Sequence, residues 1–226
     1  KEDIEDLSKG WVPRQRRNED VILVYSHQPS SRGQYSKKTS PVLFRLYSTS
    51  EGAVVRDTLA VYEPGTISAS APQLHDVLSY VKDEFPAKSY GLIFSSHATG
   101  YLPSGFYSKP DGYIFSESMM RRQGLDRPAA PVPVPYMEPE QNPGLPAVKS
   151  VGQDVDGSLS YEMDIRDFAD AIPMKLDYIL FDACLMSNIE SVYELRDAAK
   201  YIIGSPCEIM GYGFPYAKIM PYMFVD

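Results

Sequence analysis

The stretch "LDYILFDACLMSNIESVYEL", residues 176–195, decides the fold prediction because it leads from a strand pattern directly into a helix pattern. The apolar run "YILF" (178–181) is typical of a strand covered on both faces, as in a parallel sheet. Ser187 and Glu190 form an S-x-x-E capping box, so a helix is predicted to begin there. Its predicted core stripe consists of Ile189, Val192, Tyr193 and Ala199. This succession indicates an α/β fold.

A second strand end carries a histidine in the corresponding place. In "LIFSSHATGYLP" (92–103), His97 follows the apolar "LIF" within three residues, just as Cys184 follows "YILF" within three. Functional groups gather beyond the carboxyl ends of parallel strands, so the sequence predicts that the thiol and the imidazole share one crevice. A buried cysteine that only packs is the alternative interpretation of Cys184 alone.

The helix predicted after Cys184 adds a chemical argument. A helix N-terminus carries a partial positive charge, and both this charge and a nearby imidazole favour the thiolate over the thiol. The thiolate is the nucleophilic form of cysteine. The two stretches together therefore predict a His97–Cys184 dyad.

The first half of the sequence predicts further strands and one helix. The run "VILVYSH" (21–27) is typical of a buried strand, and residues 41–48 and 53–63 alternate as strands do. Ser70 and Gln73 offer a capping box for the next helix. The apolar stripe of that helix comprises Leu74, Val77, Leu78, Val81 and Phe85.

The domain organisation predicted from these patterns is one α/β domain over residues 21–226. Residues 1–20 are charged and aperiodic, so we expect a surface-hugging or mobile arm. A proline-dense insertion at about 117–160 is predicted to be an extended, exposed loop.

Composition excludes several classes of function. The net charge of −8 over 226 residues gives no basis for gripping nucleic acid, and no apolar run approaches the roughly 20 residues that span a bilayer. Two cysteines and three scattered histidines predict no metal site. A P-loop and a G-x-S-x-G elbow are both missing, which argues against phosphate chemistry and a serine hydrolase.

At these residues the sequence resembles the clostripain family of cysteine peptidases, which are relatives of caspases, gingipains and legumain. The resemblance is carried by the strand into Ser96-His97, by "FDACLM" and "NIESVYEL", and by "YIIGS" leading to "GYGFPY", over most of residues 90–216. It implies a caspase-like three-layer sandwich with a mostly parallel central sheet. The implied activity is endopeptidase cleavage after arginine or lysine in peptide or protein substrates.

The resemblance also implies roles for individual residues. His97 would be the acid/base and Cys184 the nucleophile that forms a thioester acyl-enzyme. The backbone N–H groups of Cys184 and Ala98 would stabilise the oxyanion, although Ala98 stands where the family usually has glycine.

A cationic substrate side chain needs a carboxylate in its pocket. Asp182 matches the family's acidic position, and its alternative role is to anchor the turn before the helix. Ser205 and Glu208 follow the strand "KYIIGS" and are predicted to complete the pocket wall.

Other features of the family are carried over as expectations. Self-processing between the histidine and the cysteine would use Arg121, Arg122, Arg127 or Lys149, which we expect in exposed backbone. An extracytoplasmic, bacterial setting is implied. Some relatives use calcium, but this sequence contains no D-x-D-x-D-G loop that could coordinate it. No cofactor is therefore expected.

Two alternatives stay open at the level of sequence. A catalytically silent caspase-like module of a bacterial surface complex would also fit Ala98, the proline-dense insertion and the 17 tyrosines, whose side chain suits recognition surfaces. Cys207 is expected either to pack or to form a reversible disulfide with Cys184, and packing is the favoured interpretation.

Overall fold

The computed structural model describes residues 2–15, 20–27, 40–103, 149–156, 159–209 and 213–224. Its helices are α1 (Glu2–Leu7), α2 (Ala71–Glu84), α3 (Ile165–Asp170), α4 (Ile189–Leu195) and α5 (Tyr216–Ile219), followed by a 3₁₀ helix (Met220–Phe224). Its strands are β1 (Ile22–Ser26), β2 (Val42–Ser48), β3 (Val54–Val61), β4 (Gly91–Ser95), β5 (Ala98–Pro103), β6 (Lys149–Asp156), β7 (Leu159–Asp164), β8 (Leu176–Asp182) and β9 (Ala199–Ile203).

The described strands form three three-stranded sheets with the orders β1-β2-β3, β4-β8-β9 and β5-β6-β7. β8 pairs in parallel with both β4 and β9, whereas the other two sheets are antiparallel. Helices connect the parallel strands, with α4 between β8 and β9. The predicted α/β class is confirmed, and β8 occupies the centre of the parallel sheet.

The core explains why "YILF" forms the central strand. Ile179, Leu180 and Phe181 are buried, as the continuous apolar run predicts for a strand covered on both faces. Phe181 lies 5.7 Å from the ring of Phe168 in α3, and Phe94 of β4 completes the cluster with edge contacts to both rings. The end of β8 is thus held by rigid aromatic packing.

Helix α2 begins as its sequence predicts. The hydroxyl of Ser70 accepts a hydrogen bond from the backbone N–H of Gln73, at 3.4 Å, and Val77 and Leu78 are buried. The next element after this helix is β4, and His97 follows β4 directly in the chain.

Helix α4 departs from its prediction in both its cap and its face. Asn188, not Ser187, is the N-cap, and its side chain accepts a hydrogen bond from Ser191 N at 2.9 Å. The predicted core stripe is wrong: Ile189 and Tyr193 are 81% and 60% exposed. Val192 is exposed as well, and Ala199 belongs to β9. The helix instead buries Ser191 and Leu195.

One prediction about the N-terminal half also needs correction, and another is made more specific. Residues 2–7 of the arm form α1, which buries Ile4 and Leu7 in a second apolar cluster with Tyr216 and Met220, so this part of the arm packs against the rest of the chain. β1 was expected to be covered on both faces, but only Ile22 is fully buried there.

The predicted proline-dense insertion lies mostly outside the described residues. Its last part, however, forms β6 and the start of β7, so the extended loop predicted for that part is wrong. None of the helices in the described part of the chain is long and apolar enough to cross a membrane.

Candidate functional site

The parallel pairing of β4 with β8 brings the two predicted catalytic residues to one sheet edge. The ladder ends at the pair Ser95 and Asp182, and the next N–H, that of Ser96, still donates to the carbonyl of Asp182 at 3.2 Å. His97 and Cys184 each follow that last pair by two residues. Both residues therefore lie just beyond the same end of two adjacent parallel strands.

The chain turns sharply directly after Cys184. Leu185 has a φ of 60°, and among the described residues no other non-glycine residue has a positive φ. The N–H of Leu185 donates to the carbonyl of Cys207 at 3.1 Å, and its own carbonyl accepts from the side-chain amide of Asn188 at 2.6 Å. Surrounding hydrogen bonds thus compensate for the strained backbone, a situation typical of functional sites.

The sulfur of Cys184 is half-buried and faces a backbone donor. The N–H of Ile209 donates to Sγ at 3.3 Å, while the thiol donates weakly to the carbonyl of Ile209 at 3.7 Å. Cys184 and Cys207 are both free, and Cys207 is exposed, so the packing favoured for Cys207 is wrong.

Gly100 lies in the segment that contains Ser96 and His97, called here the histidine loop. It contacts the turn formed by Cys184 and Leu185, called here the cysteine turn. Its φ is 58°, and a Cβ built there would lie only 2.1 Å from the carbonyl oxygen of Leu185. No side chain can be accommodated at this point without moving the backbone that carries Cys184. The close contact therefore couples the positions of the two loops.

A Gly100→Ala variant is expected to lose both stability and Cys184 reactivity. The positive φ costs about 1–2 kcal/mol for an L-residue, and the methyl group must also push the carbonyl of Leu185 away. The free energy of unfolding from urea titration and the rate of Cys184 alkylation would measure the two effects.

Gly52 provides the matched control for this variant. Its φ is 86°, but a Cβ there would meet nothing within 4 Å. Gly52→Ala should therefore lose stability through backbone strain and leave the reactivity of Cys184 unchanged. Equal alkylation rates for both variants would contradict a coupling through Gly100.

His97 itself has an exposed side chain on a fixed backbone. Its carbonyl accepts from the N–H of Gly152 in β6 at 2.9 Å, and the Ser96 hydroxyl accepts from the N–H of Gln153 at 3.0 Å. The imidazole is thus presented to solvent at the sheet edge while the strands on either side hold its main chain.

Asp182 is buried and anchors the segment that follows β9. Its Oδ2 accepts hydrogen bonds from the hydroxyl of Tyr216 at 2.6 Å and from the N–H of Phe214 at 3.3 Å. Burial first, and the carboxylate of Asp182 second, raise the pKa of Tyr216 far above its ordinary value, so the phenol remains a donor. Within the described residues, no basic side chain pairs with Asp182.

The remaining predicted site residues differ in where they lie relative to the cysteine turn. Ser205 lies beside the cysteine turn, where its carbonyl accepts from Ser187 N at 3.1 Å, whereas Glu208 is exposed. Lys149 was expected in exposed backbone, but it is the first residue of β6, paired with Pro103. The candidate cleavage residues Arg121, Arg122 and Arg127 lie outside the described residues.

In the ranges that the structure describes, no three His, Cys, Asp or Glu side chains are arranged so that they could hold a metal ion.

The profile of the clostripain family, peptidase family C11, matches residues 137–226, which include Cys184 and its turn. The resemblance to the clostripain family is confirmed. Among curated proteins none matches the sequence.

Solved structures of clostripain-family proteins share the fold over 99% of this chain. A secreted C11 cysteine protease from Bacteroides thetaiotaomicron, in complex with an irreversible peptide inhibitor, is 30% identical with a TM-score of 0.68. An inactive zymogen C11 protease from Parabacteroides distasonis is 29% identical with a TM-score of 0.66. A further secreted C11 cysteine protease from Bacteroides thetaiotaomicron, "iotapain", is 25% identical with a TM-score of 0.64.

These comparisons confirm the caspase-like fold. The chain spans about half the length of the clostripain-family structures it matches: 49%, 48% and 52%.

Sequence reasoning missed several residues that shape the site. Tyr216 and Asn188 hold Asp182 and the cysteine turn by side-chain hydrogen bonds, and Leu185 carries the strained backbone. The "SN" pair before the helix was a usable signal, since Asn is as good an N-cap as Ser. The partnership of Tyr216 with Asp182 has no local signal, because 34 residues separate the two.

Proposed function

We propose that this chain is a cysteine endopeptidase that cleaves after basic residues with a His97–Cys184 dyad. The observation that carries the proposal is the common position of both residues, two steps beyond the last paired residues of adjacent parallel strands. The strained turn at Leu185 and the N–H of Ile209 directed at the sulfur support a nucleophilic role for Cys184.

The proposed chemistry is acyl transfer through a thioester. Cys184 passes its thiol proton to His97 as the sulfur attacks the scissile carbonyl carbon, and His97 gives that proton to the departing amine as the C–N bond breaks. Water then attacks the thioester while His97 accepts a proton from it. His97 passes this proton to the departing sulfur, which releases the acid and regenerates the thiol. Only the substrate and water are consumed.

The N–H group of Ala98 is suited to the oxyanion. Hydrogen-bonded and non-hydrogen-bonded pairs alternate along an antiparallel ladder, and the bond from Gly152 N–H to the His97 carbonyl makes that pair a hydrogen-bonded one. Ala98 and Val151 then form the next, non-hydrogen-bonded pair. The Ala98 N–H therefore points away from β6, where a substrate oxygen can accept it.

Preference for arginine or lysine is proposed from the environment of Asp182. Its carboxylate is buried and is hydrogen-bonded by neutral donors, without a cationic partner in the described part of the chain. A buried carboxylate of this kind is stabilised by a substrate cation. Ser205 lies at the same sheet edge, and Glu208 is retained as an outer wall residue.

Fluorogenic peptides with Arg, Lys or Ala before the scissile bond test the activity and the specificity together. Cleavage of the Arg and Lys peptides only, abolished by a thiol alkylator, is the expected result. A folded protein whose Cys184 is alkylated but which cleaves no peptide would contradict the proposal and favour the catalytically silent binding module.

Self-processing and an extracytoplasmic setting belong to the same proposal. Both are supported by the relatives, one named as an inactive zymogen and others as secreted. The proposed cleavage positions are Arg121, Arg122, Arg127 and Lys149. Lys149 is the less favoured because its backbone pairs with Pro103, and a protease needs backbone that is free of such pairing. N-terminal sequencing of fragments after prolonged incubation would identify the position, with Cys184→Ala as the uncleaved control.

A further inference from the structure

An irregularity in β6 directs two backbone donors at the histidine loop. The pairing of β6 with β7 is interrupted between Val151 and Asp154, and the two intervening residues use their N–H groups elsewhere. Gly152 donates to the carbonyl of His97 at 2.9 Å and Gln153 to the hydroxyl of Ser96 at 3.0 Å. A bulge of this kind re-aims a strand at a neighbouring group.

Gly152 is required for this geometry. Its φ is 82°, and a Cβ there would approach Phe94 and Ala69 to 3.3 Å. The bulge therefore lies tightly against β4 and the segment before α2, with no room to shift toward them.

Asp154 is the residue that holds the far end of the bulge. Its side chain is only 4% exposed, its Oδ2 accepts from the N–H of Ser68 at 2.7 Å, and its Oδ1 lies 3.3 Å from Nδ1 of His27. These contacts tie β6 to the end of β1 and to the segment before α2.

The proton of His27 can be placed from the surroundings. Nε2 of His27 is buried and has no hydrogen-bond partner among the described residues. A buried N–H without an acceptor is costly, so the tautomer with its proton on Nδ1, donated to Asp154, is favoured. Asp154 therefore acts as an acceptor on both oxygens, and an alanine would leave both donors unpaired.

We propose that Asp154 is a positioning residue for His97, acting through the bulge at Gly152 and Gln153 and not through contact with substrate. This inference builds on the proposed dyad. When Asp154 is removed, β6 is released from Ser68 and His27, the two donors at the histidine loop lose their fixed position, and the imidazole drifts relative to the sulfur.

The test compares Asp154→Ala and Asp154→Asn in the full chain. Asp154→Ala is expected to lower kcat by about 10- to 100-fold with KM nearly unchanged, since misplacing a catalytic group by about 1 Å has an effect of this size. Asp154→Asn should recover part of the loss, because its amide oxygen can still accept from Ser68 N. A second readout needs no substrate: the ratio of Cys184 alkylation rates at neutral and at alkaline pH.

His97→Ala and Leu46→Ala are the reference variants. Leu46 is fully buried in the second cluster, so Leu46→Ala lowers stability without touching β6, and its alkylation ratio should equal that of the unaltered protein. Asp154→Ala should reduce the ratio of the Cys184 alkylation rate at neutral pH to that at alkaline pH, toward the value found for His97→Ala. If His97→Ala itself leaves the ratio unchanged, the dyad fails. If His97→Ala reduces the ratio and Asp154→Ala does not, only the positioning role fails.

Discussion

Replacing Cys184 with alanine is expected to lower kcat/KM for peptide cleavage by at least about a thousandfold, because the proposed acyl-enzyme forms on its sulfur. The sulfur lies at a strained turn and receives the N–H of Ile209, and neither feature supplies a nucleophile once the sulfur is gone. Steady-state cleavage of an Arg peptide measures the loss.

Cys207 is the matched control for this prediction. It is the other free cysteine and is exposed, and its contribution to the cysteine turn is its backbone carbonyl, which a substitution of the side chain retains. Cys207→Ala should keep full activity and lose one alkylation site. Activity that survives in Cys184→Ala but disappears in Cys207→Ala would exchange the roles of the two thiols and remove the basis of the dyad.

The second large effect is expected for Asp182→Asn. The amide oxygen can still accept from Tyr216 and Phe214, so the fold is retained, but the negative charge that pairs with a substrate cation is lost. Removing one partner of a buried charge pair costs about 2–5 kcal/mol, which corresponds to a loss of about 1.5 to 3.5 orders of magnitude in kcat/KM for Arg and Lys peptides. Cleavage of peptides with neutral side chains at the same position should fall much less.

Tyr216→Phe separates the charge of Asp182 from its anchoring role. This variant removes the 2.6 Å hydrogen bond and about 1.5–3 kcal/mol of stability, since the acceptor is a charged carboxylate, while the carboxylate itself remains. The ratio of Arg to neutral-peptide cleavage should therefore stay high in Tyr216→Phe and collapse in Asp182→Asn. A ratio that does not change in either variant would leave Asp182 with the anchoring role alone.

The elements nearest the site were predictable because their signals are local. The apolar run "YILF" is buried as the centre of the parallel sheet, and Ser70 caps α2 as its spacing predicts. Helix α4 was harder, since Ser187 and Asn188 are both good N-caps and only the structure shows which of the two the helix uses. Its apolar residues misled the prediction, because a large side chain on a helix does not show whether another element covers it.

The sequence by itself determined the α/β class, the strands that end near His97 and Cys184, and the family that those strands resemble. Hydrophobic period and capping chemistry act over a few residues, so they can be read from the chain alone. Only the tertiary structure decided that Ser95 and Asp182 share a register, that Gly100 contacts the turn after Cys184, and that Tyr216 anchors Asp182. Each of these contacts joins residues far apart in the chain, where pairing depends on packing geometry that no local pattern encodes.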